Sequence, residues 1–530
     1  MKTSLQNKPH TFEDKLRKLV VLCTVAGVFL LVLALRGNSI MTPFERDEGE
    51  YAYSARLLLR GDVPYTESFI QKPPLIIYTY AIGQLVDPYG VWSPRVLAIL
   101  FVLGTIYLVG YIASKEFGWQ AGIAAMWVAA PMLSFPYLAA LAANTELFML
   151  LPLTATVALL VKAKSLTKVS HKLNTCAGFL ATTAILYKPI AVFPLILLFL
   201  IWTIRIWMVD RNIKNTFLSL CFWAFGTVAS LCIFLGYIFF RGAGSAFWEM
   251  VVEFNRYYAG FFGLGFDYLF HRISQFFVKW TPLFVLLPAA FIADRKKILV
   301  YFGLLLVSVL GVFQTPIGHY YLLLMPFWAI ITGSAIVSVA KLIDTKAQLF
   351  LTCIMTCIVV GYMLLAVSEQ FGKTPDEIGG WVYGRNNPFL ESVMVGKKLK
   401  EITRPEDYVF VAGSEPQILY YADRKSSSRF VITYPFVIKT PMQLAYQQEA
   451  IREIKEREPV AIVLSQREES GLWDEKSPQA FRDFLTAFIQ TKYELRGAAV
   501  WSTEKFSWVE TPNDNDISQA SLLLFSKKNE

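Results

Sequence analysis

The sequence is poor in charge: Asp, Glu, Lys and Arg make up 17% of its 530 residues. An average soluble domain has about 25%. A disordered chain needs the opposite balance and is ruled out. Cysteine is sparse, and Cys23, Cys176, Cys221, Cys232, Cys353 and Cys357 all fall inside apolar runs. No cysteine lies in a hydrophilic segment, so there is no disulfide framework and no zinc-ligand spacing. Cys353 and Cys357 lie four apart on one helix face, and burial as small residues between helices accounts for them. No internal repeat is present, which weakens a transporter built from two matched halves. The net charge of +9 is spread over many short loops. Without one basic face, the chain does not read as a nucleic-acid binder.

Apolar residues are abundant, at 55%, and the mean hydropathy is +0.44. A membrane-spanning helix needs about 20 mostly apolar residues. The first such run is Leu19–Leu35, preceded by Lys2, Lys8, Lys15, Arg17 and Lys18. Leu33-Ala34-Leu35-Arg36 is a poor cleavage site, so the run reads as an uncleaved signal anchor with a cytoplasmic N-terminus. Further runs follow near 95–113, 120–141, 146–161, 174–187, 189–208, 216–240, 280–293, 298–313, 321–340 and 347–367, which makes about eleven spans by the length rule. The loops that would face inward hold Lys115, then Lys162 to Lys172, then Arg205, Arg211 and Lys214, then Arg295 to Lys297, then Lys341 and Lys346. Every cluster falls on one side, as cytoplasmic loops require. The number of crossings is then odd, and the chain from about 370 lies outside.

Residues 370–530 hold no run long enough to span. Val409–Ala412, Phe430–Thr433 and Val460–Leu464 read as short buried strands, and Pro441–Arg457 and Pro478–Thr491 as helices. Alternation of that kind suggests a small α/β domain. It contains no Gly-rich phosphate loop, no Cys/His cluster and no nucleophile elbow. The expected fold class is therefore mainly α: a polytopic transmembrane helix bundle over 1–368, followed by a soluble extracytoplasmic α/β domain over 369–530.

The unusual polar residues gather on the outer side. The first outer loop, 37–94, opens with Arg46-Asp47-Glu48-Gly49-Glu50. Adjacent residues on a helix point about 100° apart. One of Asp47 and Glu48 can thus reach a substrate while the other meets a cation such as Arg46 or Lys72. Two prolines after Lys72 deny the chain helical hydrogen bonds and hold that lysine at the membrane surface, before the short apolar helix Leu75–Val86. Arg95, Asn144, Glu146 and Lys188 sit at span ends, Gln314 to Tyr321 joins two spans, and an aromatic loop over 241–279 carries Asn255 and Tyr258. Carboxylates at a membrane mouth are costly unless cations or a task hold them there. Cations suit a phosphate, and a carboxylate suits a general base. Together they describe group transfer from a lipid phosphate, with a polyprenyl phosphate as leaving group.

These residues resemble a known family. Arg-Asp-Glu-Gly-Glu-Tyr at 46–51, Gly61 with Pro64-Tyr65, and Lys72-Pro73-Pro74-Leu75 look like the GT-C glycosyltransferases. The kin are bacterial relatives of dolichyl-phosphate-mannose-protein mannosyltransferases and of the lipid A aminoarabinose transferase. Asn144-Thr145-Glu146, Tyr187-Lys188-Pro189, Asn255 to Tyr258 and His319-Tyr320-Tyr321 extend the likeness over most of 20–340, and Val409–Gly413, Tyr420-Tyr421 and Arg429-Phe430 resemble the periplasmic domain of some members. The resemblance implies an inverting transfer from an undecaprenyl-phosphate sugar at the outer face of a bacterial cytoplasmic membrane. The acceptor would be a lipid, a glycan or a protein. Asp47 would be the catalytic carboxylate or would organise the acceptor, with Glu48 as its partner. Arg46 lies beside them in the motif. Lys72, Arg95 and Lys188 would hold the phosphate. Glu146 would bind a sugar, His319, Tyr320 and Tyr321 would line the donor pocket, and Asn255 and Tyr258 would belong to a loop over the site. No cofactor is implied; a divalent metal on Asp47 and Glu146, as in the related oligosaccharyl enzymes, is the less favoured alternative. The competing function is a transporter or flippase of a lipid-linked or anionic sugar.

Overall fold

The computed structural model describes residues 12–528 except 262–265, 293, 385, 473 and 502–505. Lys2 and Lys8 of the expected cytoplasmic cluster therefore lie outside the described residues. Each of the eleven apolar runs falls on a helix. Seven helices are long and apolar enough to cross a membrane: Asp14–Ser39, Trp92–Phe117, Thr145–Lys164, Pro189–Asp210, Ile213–Phe240, Gly318–Ile343 and Gln348–Leu365. The number is eight if Asp267–Lys279 and Thr281–Ala290, bent by 94°, form one broken span. Three runs are weaker. The run expected over 120–141 stops at Met132, after Pro131, and His171–Tyr187 has 17 residues. Arg295–Val312 begins with three cations.

Large apolar side chains such as Leu22, Phe225, Phe240 and Leu306 lie exposed on the outside of the bundle, as lipid contact allows and water does not. The six cysteines are also exposed and unpaired. They do not pack between helices as expected; a small thiol is equally at home against lipid. At one end of the bundle Lys164 pairs with Glu116, Lys297 donates to the Glu116 carbonyl, and Arg205 donates to the carbonyls of Ala163 and Leu166. That end is the far one from Arg95 and Glu146, which start the same helices.

The C-terminal region forms one six-stranded mixed sheet. Its strands are β1 (Tyr408–Ala412), β2 (Lys425–Ser426), β3 (Ala461–Ser465), β4 (Tyr493–Trp501), β5 (Phe506–Val509) and β6 (Ala520–Lys527), in the order β2-β1-β3-β6-β4-β5. β1 runs parallel to β2 and β3, with Val409 opposite Ala461, while β6 lies antiparallel to both β3 and β4. Phe430–Thr433 is not a strand. Its backbone donors go elsewhere: Phe430 to the Ser428 hydroxyl, Val431 to the Arg429 carbonyl and Thr433 to the Ser414 hydroxyl. The phenyl ring of Phe430 stacks on Phe69 of the first outer loop and touches Tyr446. An apolar tetrapeptide can be buried as a connector as well as in a ladder, and short runs do not distinguish the two.

The sheet domain sits directly on the helix Arg46–Leu59. Arg46 donates to Ser414 and pairs with Glu415, Arg56 and Arg60 pair with Asp423, and Lys425 pairs with Asp62. The backbone N–H of Phe44 donates to the Tyr421 hydroxyl, and that of Ser426 to the Tyr53 hydroxyl. Gly49 is the point of closest approach: a Cβ built there would stand 2.6 Å from both Cβ and N of Gln417. Gly49→Ala is expected to force the domain outward at an overpacking cost of roughly 1–3 kcal/mol. A lower thermal midpoint than wild type in detergent would show it; an unchanged midpoint would mean the contact gives without cost.

Candidate functional site

The helix Arg46–Leu59 starts with a capping box. The Glu45 carboxylate accepts from the backbone N–H groups of Asp47 at 3.0 Å and Glu48 at 3.1 Å, and Glu48 reaches back to the Glu45 N–H at 3.4 Å. Fixing the first turn in this way fixes where the next two carboxylates go. Glu48 points into the protein. It receives Nε of Arg95 at 3.0 Å and Nη2 at 2.6 Å, and the Ala143 N–H at 2.8 Å. Arg95 spends its remaining donors on the carbonyls of Ser39, Thr42 and Pro43. Neither side chain lines the cavity that Asp47 faces, and the Arg95 guanidinium is taken up by Glu48 and the backbone carbonyls.

Asp47 points the other way, into a cavity of about 620 Å³ between bundle and sheet domain. Its carboxylate lies 3.6 Å from the Lys72 ammonium and 4.0 Å from Nε2 of His319. Behind them Glu146 lies 3.0 Å from Lys188 and 3.8 Å from His319. Lys188 also sits 4.2 Å from the centre of the Tyr320 ring, a favourable cation–π distance. His319 thus bridges two carboxylates, each with its own lysine. The position of Lys72 follows from its motif. Tyr65, at φ 75°, occupies the left-handed region that a bulky residue avoids. Its buried hydroxyl donates to the Lys72 carbonyl at 2.9 Å, and Pro73-Pro74 then lead into the helix Leu75–Val86. A strained backbone at that point is expected where a site must be held in place.

Of the residues expected to form the site, Arg46, Asp47, Lys72, Tyr258, His319 and Tyr320 line this cavity. Arg46 does so while bound to Glu415 of the sheet domain. Glu146 and Lys188 form the layer behind it. Asn255 donates to the Gln71 carbonyl at 2.7 Å, next to Lys72. Tyr321 turns away, against Arg272 and Phe276. Three charged lining residues fall outside the expected set: Glu45, which caps the helix, Glu50 and Arg272. Glu50 is one helical turn after Asp47 and so shares its face; periodicity alone could have pointed to it. Arg272 donates to Gln275 and to the carbonyls of Tyr137 and Pro316, with no carboxylate partner among the described residues. A second, more apolar cavity of about 540 Å³ adjoins the first, and Tyr258 and Tyr320 line both. Its other walls include Phe193, Val251, Leu310 and Val312. Among the described residues no three His, Cys, Asp or Glu side chains are grouped to hold a metal ion.

Charge is distributed unevenly over this site. Burial pushes the Asp47 carboxyl up, but Lys72, His319, Lys188 and Arg46 outweigh it and hold the group below the usual carboxylate range. Burial pulls the Lys72 ammonium down, but Asp47 and Glu50 outweigh it and keep it charged. Burial pushes Glu50 up to about 8, opposed by Lys72 and reinforced by Asp47. At neutral pH Asp47 is therefore the anion facing the cavity and Glu50 is largely protonated.

Removing one partner of a buried ion pair strands the other, at about 3–5 kcal/mol. Glu48→Gln is expected to lower the yield of monodisperse protein on size exclusion, whereas Asp47→Asn, on the cavity side, is expected to leave it at wild-type level. The raised Glu50 group carries a sign. The folded state keeps a proton that the unfolded state releases above its ordinary value of 4.5, so the stability it contributes is lost as pH rises towards about 8. Asp47 acts oppositely, losing its contribution as pH falls below the usual carboxylate range. Thermal midpoints measured from pH 5 to 8 should decline more in wild type than in Glu50→Gln; parallel curves would contradict the assignment.

No family model matches the sequence, and no curated protein matches it. Solved structures do. ArnT from Cupriavidus metallidurans bound to undecaprenyl phosphate superposes with a TM-score of 0.60 at 13% identity, over 96% of this chain and 97% of that one. Its apo state gives 0.61 at 14% identity, over 96% and 98%. The Archaeoglobus fulgidus oligosaccharyltransferase tethered to an acceptor peptide gives 0.53 at 11% identity, over 93% and 74%. Similarity along nearly the whole length, membrane bundle and sheet together, gives the chain the fold of the GT-C membrane glycosyltransferases.

Proposed function

We propose that the protein transfers a sugar from a polyprenyl-phosphate carrier to a hydroxyl of an acceptor, at the membrane face that bears the sheet domain. The carrying observation is the junction of two cavities at Tyr258 and Tyr320, one polar with Asp47 in its wall and one apolar. A lipid-linked sugar needs both. The polyprenyl tail occupies the apolar groove beside Phe193 and Leu310, and the phosphate and sugar enter the polar cavity. Two of the similar structures hold a lipid phosphate, undecaprenyl phosphate in ArnT and dolichol-phosphate in the archaeal oligosaccharyltransferase AglB, which supports a lipid-linked donor here.

In this reading Asp47 is the general base. It takes the proton of the acceptor hydroxyl, and the freed oxygen attacks the anomeric carbon of the donor sugar. The bond between that carbon and the phosphate oxygen breaks on the opposite face, so configuration inverts. The polyprenyl phosphate leaves with the bonding electrons. Lys72 and Arg272 face the cavity and meet that charge. Lys188 keeps Glu146 and His319 in place behind Asp47. Arg95 and Glu48 hold the catalytic helix and take no direct part. No metal is required. The face in question is the outer one of a bacterial cytoplasmic membrane, with the N-terminus inside, as the loop cations predict. The acceptor is a lipid, a glycan or a protein.

Purified protein given labelled undecaprenyl-phosphate sugars and an envelope extract should move label to a new product. Asp47→Asn should abolish transfer while the protein stays folded, and normal turnover in it would sink the assignment. Lys72→Ala should raise the apparent KM for donor about tenfold or more, the loss of a charge-assisted contact of about 1.5–3 kcal/mol. A change confined to the acceptor KM would move the phosphate elsewhere.

A further inference from the structure

A third cavity, of about 660 Å³, lies beside the Asp47 cavity, and Asn387 and Phe389 line both. Its walls come from the Thr42-Pro43 turn, from described residues between Lys373 and Glu391, and from Trp501 and Phe506 where β4 pairs with β5. The transfer chemistry described above uses none of these residues. Four aromatic rings, Trp381, Phe389, Trp501 and Phe506, stand in its wall, and all but Phe389 are partly exposed. Tyr137, which lines the Asp47 cavity, contacts the Trp381 ring at 5.8 Å edge to face.

The polar side of the wall is acidic. Asp376 and Glu377 are exposed within it, and Glu391 lies at its back with 1% of its surface accessible. One Glu391 oxygen accepts the indole N–H of Trp501. The other, Oε2, has the Ser521 hydroxyl nearby but no donor in hydrogen-bonding geometry among the described residues. Lys373 is the one cation in the described wall, and its ammonium lies 5.6 Å from the Trp381 ring centre.

Flat aromatic faces beside carboxylate acceptors match the surface of a sugar ring, whose C–H face is apolar and whose rim donates hydrogen bonds. A phosphate would meet three carboxylates and one lysine, an unfavourable balance. The cavity adjoins the site where an acceptor hydroxyl must arrive. We propose that this cavity binds a neutral saccharide, and that this saccharide is the acceptor. The acceptor role rests on the transferase reading above; the binding role does not.

The test uses the full-length protein in lipid nanodiscs and saturation-transfer NMR. The probes are soluble neutral pentasaccharides of glucose, mannose and N-acetylglucosamine, with a bisphosphorylated glucosamine disaccharide alongside. At least one neutral probe should bind saturably. Trp381→Ala and Asp376→Asn should each weaken it tenfold or more, with undecaprenyl phosphate binding and thermal midpoint unchanged. The proposal is overturned if no neutral probe binds, if the phosphorylated disaccharide binds more tightly, or if both variants bind as wild type. Saccharide binding without Asp47-dependent transfer would remove the acceptor role and the transferase reading, and leave the binding site standing.

Discussion

A carboxylate and a guanidinium buried together must satisfy each other completely, because no water is at hand to finish the job. Glu48 and Arg95 meet that requirement with two direct hydrogen bonds, the Ala143 N–H and the carbonyls of the 39–43 turn. The requirement ties together the start of one spanning helix, the turn after another and the loop before a third. Arg36 adds to the knot by donating to the carbonyls of Leu133 and Ala140. The helix that follows Glu45 then has one possible orientation, and Asp47 faces the cavity by the helical turn angle alone.

The second charge layer depends on that first one. Asp47 with Lys72 at 3.6 Å and Glu146 with Lys188 at 3.0 Å form two ion pairs, linked through the His319 imidazole at 4.0 and 3.8 Å. Asp47 stays ionised because the cations around it outweigh its burial, whereas at Glu50, 4.0 Å from Lys72, burial wins and the proton is kept. The arrangement leaves Arg272 without an acidic partner among the described residues, in the wall of the Asp47 cavity. An anionic lipid head brought there would complete the balance. The sheet domain closes the same space from the other side, through Arg46 with Glu415 and Arg429 with Glu249. The loop that carries Asn255 and Tyr258 is thus held by bundle and domain together.

Much of the site was legible in the sequence because its residues are exceptions. A carboxylate pair, a Lys-Pro-Pro and a His-Tyr-Tyr among long apolar runs have no cheap explanation in a membrane protein. Their division into roles was not legible. Arg95 carries the same charge as Lys72, and only three-dimensional contact shows that one is consumed by Glu48 while the other faces a cavity. Glu50 was overlooked although its spacing from Asp47 placed it on the right face. In the tail, β1 and β3 were readable as compact apolar runs, whereas β4 and β6 mix polar and apolar residues and their pairing is long-range. Phe430–Thr433 imitated a strand by composition while its backbone bonded to side chains.

The most direct measurement is a cryo-electron microscopy structure of the protein with undecaprenyl phosphate in a nanodisc. The account predicts the phosphate within hydrogen-bonding reach of Lys72 or Arg272 and near Asp47, with the tail running along Phe193 and Leu310. A phosphate lodged at the opposite, Lys164 end of the bundle, or a groove that stays empty at saturating lipid, would contradict it.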